Sequence, residues 1–117
     1  MATHARDSQT RAYRDALLAE RAQLASEDAA SAEDRGTVML DQQSVGRLSR
    51  MDALQRQAMA QATMRRRAAR GARIDAALRR IDEGEFGFCQ VCGDGIARER
   101  LDLDPTVPTC VSCATGA

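Results

Sequence analysis

The sequence predicts a mainly α protein: a long antiparallel helical hairpin, a coiled-coil arm, followed by a small module built on four cysteines. Three observations carry that prediction. Two segments, residues 8–30 and 45–82, are rich in Ala, Leu, Gln, Glu and Arg, a composition that favours helix. Across 117 residues only Tyr13, Phe86 and Phe88 are aromatic and there is no Trp, so no large core of big side chains can form. The four cysteines form two Cys-x-x-Cys pairs near the end, Cys89 with Cys92 and Cys110 with Cys113.

The first segment is expected to be helical over about 8–30. Tyr13, Leu17 and Leu24 recur there at helical spacing, with Ala16 and Ala25 beside them, and read as a helix-packing face. Helix signals fade over 31–44, where Gly36 offers a turn and Thr37-Val38-Met39-Leu40 is a short β-prone run. This stretch reads as the tip of the hairpin, with Asp41 or Ser44 capping the next helix.

The second helix is expected over 45–82. Val45, Leu48, Met51, Leu54, Ala58, Ala62, Ala69, Ala72, Leu78 and Ile81 give a drifting apolar stripe, too irregular for a strict heptad. A helix of about 38 residues would be about 57 Å long, and it needs a partner to be stable. The first helix is that partner, and its start is expected beside residues 68–72. Gly84 reads as the C-cap. The division is therefore 1–84 for the hairpin and 85–117 for the finger.

In the finger, Phe86 and Phe88 alternate with Gly87 as a short strand would, and Ile96, Leu101, Leu103 and Val107 supply apolar contacts. Two Cys-x-x-Cys pairs separated by a turn-rich loop suit one closed, tetrahedral Zn²⁺ site with Cys89, Cys92, Cys110 and Cys113 as ligands. Such a site contributes on the order of 10 kcal/mol to folding, which offsets the small core. Four sulfur ligands leave no open metal position, so the zinc is structural and the protein is not expected to be an enzyme. Disulfides or redox dithiols are the other use of such pairs, but residues 1–5 lack the apolar core of a secretion signal. His4 is the only histidine; at the terminus it reads as exposed, not as a ligand.

Formal net charge is zero, and all 17 basic residues are arginine. The bulk field thus gives no general attraction to nucleic acid. No apolar run reaches membrane-spanning length. A soluble, cytoplasmic, monomeric protein is expected.

Residues 77–89, then Cys92-Gly93-Asp94-Gly95-Ile96, Arg100-Leu101, Pro105, Cys110 and Cys113, resemble the zinc-finger signature of the DksA/TraR family. The start of the second helix, residues 45–54, is similar to short DksA-like members. The resemblance covers roughly 38–113. It implies a regulator of transcription that binds RNA polymerase, inserting the hairpin tip through the secondary channel, often with ppGpp, the alarmone of the stringent response. It does not imply sequence-specific DNA binding. Better-studied members carry two aspartates three residues apart, with Ala after one more residue, at the tip. Here Gly46, Ser49 and Met51 fall at those positions, Asp52-Ala53 is the nearest acid–Ala pair, and Asp41 is the other nearby acid. The polymerase-contacting candidates are therefore Asp41, Ser49, Asp52 and Ala53. Arg66 and Arg73 are the candidates for contacts with ppGpp or polymerase. Asp104 and Ala114 stand where some members have basic residues, which implies weak or absent ppGpp dependence.

Two other functions compete. Arg65, Arg66, Arg67, Arg70, Arg73, Arg79 and Arg80, set against Asp75 alone, could contact phosphates in a nucleic-acid-binding module. Successive arginines point around a helix, however, and no aromatic stacking group interleaves them. A zinc-stabilised module whose helices bind another protein, or a second copy, is the third reading.

Overall fold

In the computed structural model the described residues form four helices: α1 (Ala2–Ser44), α2 (Leu48–Asp82), α3 (Arg98–Leu103) and α4 (Val111–Ala114). The structure describes residues 2–44 and 48–116, with side chains described for 8–32 and 50–116. The first helix thus runs well past both ends of the segment expected from composition. Residues 31–44, expected as the tip, belong to α1, and Gly36 and the Thr37–Leu40 run are helical. Weak helix formers there cost roughly 2 kcal/mol together. A nucleated helix with no proline in its path propagates through so small a penalty. Residues 45–47, between α1 and α2, lie outside the described residues.

The chain divides into two compact units, Met1–Glu20 with Ala72–Ala117, and Arg21–Gly71. The division cuts both long helices.

In the first unit the helix seam is apolar. Leu17 of α1 and Ile74 and Ala77 of α2 are fully buried. Burying a Leu or Ile side chain contributes about 1.5–3 kcal/mol. Arg14 pairs with Asp82 at 3.6 Å, which offsets the placement of an acid at a helix C-terminus. The start of α1 therefore lies beside the end of α2, not beside residues 68–72. Tyr13 shows why: its ring sits 5.5 Å from that of Phe86 at 45°, and its hydroxyl donates to Asp102 Oδ1 at 2.5 Å. Burial, and then the Asp102 carboxylate, push the Tyr13 pKa up. The phenol thus keeps the proton it donates. Tyr13 packs on the finger, while Leu17 takes the seam.

Helix α2 ends as expected. Gly84 has φ 75°, a conformation that costs other residues about 1–2 kcal/mol. Its N–H reaches Ile81 O at 3.2 Å and the Glu85 N–H reaches Arg80 O at 2.8 Å, closing the last carbonyls.

In the second unit the seam is polar. Arg67 is largely buried, with its side chain 14 % exposed; its Nε donates to Asp28 Oδ1 at 2.7 Å. Its Nη2 donates to Ser31 Oγ at 2.9 Å. These pairs join residues far from the 45–47 connection on both helices, so the helices run antiparallel here. Half-buried positions of α2 in this unit are Ala53, Ala60, Ala62, Thr63, Arg67, Arg70 and Gly71; of these Ala53, Ala60, Thr63, Arg67 and Arg70 follow heptad spacing. The stripe read from sequence is divided: Met51, Leu54, Ala58, Ala69 and Ala72 are exposed, whereas Ala62, Leu78 and Ile81 are half-buried.

Replacing Leu17 with Ala should therefore lower unfolding free energy by about 3 kcal/mol, whereas Leu54→Ala should change it by less than about 0.5 kcal/mol. Urea titration followed by circular dichroism measures both; equal losses would reverse the assignment of the two faces.

Candidate metal centre

The finger is two knuckles brought face to face by short-range backbone geometry. In the first, Cys89 N–H donates to Asp94 O at 2.7 Å and Gly93 N–H donates to Cys89 O at 2.9 Å. Gly93, at φ 81°, makes the reversal. Phe88 and Gly95 form a single antiparallel bridge, not the strand expected from the alternation. The second knuckle begins at Cys110, which caps α4 in extended conformation at φ −72° and ψ 169°, and Ala114 N–H closes back on Cys110 O at 2.9 Å. Gln90 N–H donates to Pro108 O at 2.8 Å and ties the knuckles together.

A short helix and a fastened loop fill the space between the pairs. Helix α3 stops at Leu103 because Pro105 forces Asp104 out of helical conformation, to φ −154° and ψ 99°. Asp104 Oδ1 then accepts from Thr106 N at 3.0 Å and from Thr106 Oγ1 at 2.7 Å. Arg80 Nη2 donates to Thr106 O at 3.3 Å and Arg100 Nε to Thr109 O at 3.0 Å. Buried Cys89, Ile96 and Leu101 form the core, with Tyr13, Phe86 and Val107 packed on it. Leu103, expected among the apolar contacts, is 89 % exposed.

The result is that the four sulfurs lie within 4.8 Å of one another. Cys92 Sγ and Cys110 Sγ are 3.7 Å apart. A disulfide would need about 2.05 Å. Sulfurs at the corners of a tetrahedron, each about 2.3 Å from a central Zn²⁺, would be about 3.8 Å apart. The donor set and the spacing therefore fit one structural zinc ion, and soft thiolates favour it over harder cations. His4, read as no ligand, has its side chain outside the described residues.

The protonation of the four thiols is uneven. Backbone N–H groups, Cys92's foremost, hold the Cys89 pKa down to about 6; the Val91 N–H lies 3.4 Å from its sulfur. Hydrogen bonding to Cys110, then to Cys89 and Cys92, pushes Cys113 up to about 12. At Cys92 the Asp94 N–H pulls the pKa down, but Cys89, burial and Cys110 together raise it. One sulfur is thus ready as a thiolate and at least Cys92 and Cys113 hold protons that a metal must displace.

The other residues singled out from sequence lie on the two long helices. Asp41 lies in α1 and Ser49 in α2, with side chains outside the described residues. Asp52 is exposed and Ala53 half-buried. Arg66 donates to Thr63 Oγ1 at 3.1 Å. Arg73 pairs with Asp104 Oδ2 at 3.4 Å. The Arg73–Asp104 pair, and the role of Asp104 in the Thr106 turn, were not foreseen; the Asp-Pro-Thr triplet was the available signal, since Asp before Pro favours a turn.

Comparison with known proteins places the finger. Residues 84–117 match the model of the prokaryotic dksA/traR C4-type zinc finger. Over 43 residues the chain is 40 % identical to the RNA polymerase-binding transcription factor DksA of Haemophilus influenzae, covering 37 % of this chain and 30 % of that protein. The DksA of Escherichia coli K12 is 35 % identical over 43 residues, 37 % of this chain and 28 % of its own length. The chain thus aligns with less than a third of these curated relatives. The fold as a whole is similar to that of transcription factor DksA2 from Pseudomonas aeruginosa, with a TM-score of 0.78 at 24 % identity, over 99 % of this chain and 88 % of that one.

Zinc affinity should fall with acid. The metal-free cluster carries protons on Cys92 and Cys113 at neutral pH, since both pKa values are raised, and the zinc-bound cluster does not. At least two displaced protons lower the affinity by about a hundredfold or more per pH unit. Below about pH 6, where Cys89 also takes a proton, the dependence should steepen. Competition with a chromophoric zinc chelator between pH 5 and pH 8 reads this directly, and an affinity that does not change with pH would contradict it.

Proposed function

We propose that this chain, whose residues 84–117 are a dksA/traR C4-type zinc finger, binds RNA polymerase and regulates transcription in the cytoplasm. It acts as a monomer through the secondary channel, with the connection between its two long helices as the inserted end. The observation that carries this reading is one combination. A finger like that of named RNA polymerase-binding transcription factors is joined here to a pair of long helices with the fold of DksA2.

Cys89, Cys92, Cys110 and Cys113 are the zinc ligands in this reading, and residues 85–117 form the metal module beside a helical part, 1–84. The closed sulfur set supports a structural ion and a non-catalytic protein. Asp41 and Asp52 are the acids nearest the connection, with Ser49 and Ala53 beside them. Carboxylates there can meet basic groups or a bound divalent cation. Among the described residues no helix is long and apolar enough to cross a membrane.

The ppGpp dependence is proposed to be weak or absent. Arg73 has an acid, Asp104, 3.4 Å away, and that carboxylate reduces the positive potential an anion would meet. Arg66 is held by Thr63. The nucleic-acid reading loses support for a related reason: Arg67, Arg73 and Arg80 are engaged within the chain.

Core RNA polymerase should co-purify with the chain and crosslink to it from residues 38–52. Replacing both Asp41 and Asp52 with Asn should reduce transcriptional activity about tenfold or more, by analogy with loss of a charged contact worth about 1.5–3 kcal/mol, without changing the thermal melt. Full activity of that variant in an in vitro transcription assay would remove the acidic contacts from the mechanism. A lack of polymerase binding by the unaltered chain would remove the function itself.

A further inference from the structure

Within the second unit, α2 has two sides, and only one is covered. The covered one is the heptad seam through Ala53, Ala60, Thr63, Arg67 and Arg70, which Arg67 joins to Asp28 and Ser31 of α1. The second runs through Met51, Leu54, Ala58, Ala68 and Ala69, all exposed. At about 100° per residue, Leu54 lies about 180° round the helix from Thr63, and Ala58 about 180° from Arg67. Met51 is 69 % and Leu54 56 % exposed. Isolated exposed apolar residues mean little, but a stripe along one side of a helix marks a contact surface.

Charge selects what covers it. Arg50 and Arg65 are exposed on this side, about 22 Å apart along a helix at 1.5 Å per residue. Asp52 is the single acid of residues 50–71, and it lies about 160° round from Leu54. The outer side of residues 50–71 therefore bears apolar and cationic groups, with the neutral amides of Gln57 and Gln61 between them, and no carboxylate. A second copy packed on the same stripe would set arginines against arginines, and like charges across an interface disfavour it. A surface with apolar side chains bordered by carboxylates complements the stripe in both respects.

We propose that this outer face of α2 docks onto an apolar, carboxylate-bordered surface of RNA polymerase, with Met51 and Leu54 as the apolar anchors and Arg50 and Arg65 pairing with the border acids. The proposal rests on the polymerase reading above and adds a second contact to it, separate from the acids near the connection.

The test is equilibrium binding of the zinc-loaded 117-residue chain to core RNA polymerase, with circular dichroism melts as the control for folding. Met51→Glu with Leu54→Glu should weaken binding about tenfold or more, the range of a buried interface anchor. Arg65→Glu should weaken it severalfold and flatten its salt dependence, and Arg65→Lys should stay near the unaltered chain. If the unaltered chain binds and the double variant and Arg65→Glu both bind within twofold of it, the docking face is wrong and the polymerase reading stands. No binding by the unaltered chain overturns both. A dimer in sedimentation that Met51→Glu with Leu54→Glu dissolves would make a second copy the occupant. Single-stranded DNA binding lost in Arg65→Glu would assign the cations to nucleic acid. Either outcome overturns the proposal.

Discussion

Four sulfurs held within 4.8 Å of one another cannot all be thiolates unless a cation sits among them. The metal-free cluster responds by keeping protons, as the raised pKa values of Cys92 and Cys113 show. Zinc resolves the conflict by taking the charge onto itself, and its binding free energy then becomes folding free energy. The finger needs that contribution. Its buried core is one cysteine and two aliphatic side chains, Cys89, Ile96 and Leu101. The two aliphatic side chains contribute about 3–6 kcal/mol, against on the order of 10 kcal/mol from a structural zinc. Because Cys89 belongs to that core and Tyr13 and Phe86 pack on it, whatever orders the sulfurs also orders the seat on which the start of α1 rests. The hydrogen bond from Tyr13 to Asp102 then fixes the helix against α3.

The helix pair uses two different kinds of seam. Where Leu17, Ile74 and Ala77 are fully buried, association rests on apolar area, which is non-directional. Where Arg67 reaches Asp28 and Ser31, it rests on hydrogen bonds with one geometry. A partly buried ion pair adds little net stability, since desolvation offsets much of the attraction. Its value lies elsewhere. A one-turn slip of α1 along α2 would leave a guanidinium in the seam without its acceptors, and an orphaned charge is costly. The polar seam therefore holds register in a region where small Ala side chains could not, because Ala faces look alike at every turn.

That polar seam also explains which parts of the structure the sequence could disclose. Cysteine spacing is local and chemical, so the four-sulfur site was legible. So was Gly84, since a left-handed cap demands glycine at a definite place. The direction of the α2 face was not. Hydrophobic periodicity assumes that the most apolar stripe is inside, and here Arg67 and Arg70 occupy the seam while Met51 and Leu54 stand outside. Ala on both sides removes the contrast that would have settled it. The true seam was visible only as a heptad of mixed residues ending in Ile74, Ala77 and Ile81, and two of those three were absent from the apolar stripe. The extent of α1 was missed for another reason: Gly36 and its β-prone neighbours are real local signals, but each is worth less than the gain from continuing a helix already formed. Leu103 was misplaced because a turn of helix, α3, aims it away from the core that takes Leu101.

Asp104 shows how one side chain can commit a turn to one set of partners. Its Oδ1 takes both hydrogen bonds from Thr106, and its Oδ2 faces Arg73. Thr106 is itself buried at 2 % exposure, and Arg80, whose charge burial already disfavours, donates to its carbonyl. A basic side chain at 104 could accept none of these donors, and two N–H or O–H groups of Thr106 would lose their partner in a poorly solvated place, a penalty of about 1–3 kcal/mol each. The same change would leave Arg73 without its counter-charge and turn an ion pair into a repulsion. A cationic anion-binding cluster at this point and the present folding of the Pro105–Thr106 turn are thus alternatives. The chain has taken the second, so an anionic effector recognised here would require a different turn, not merely a different charge.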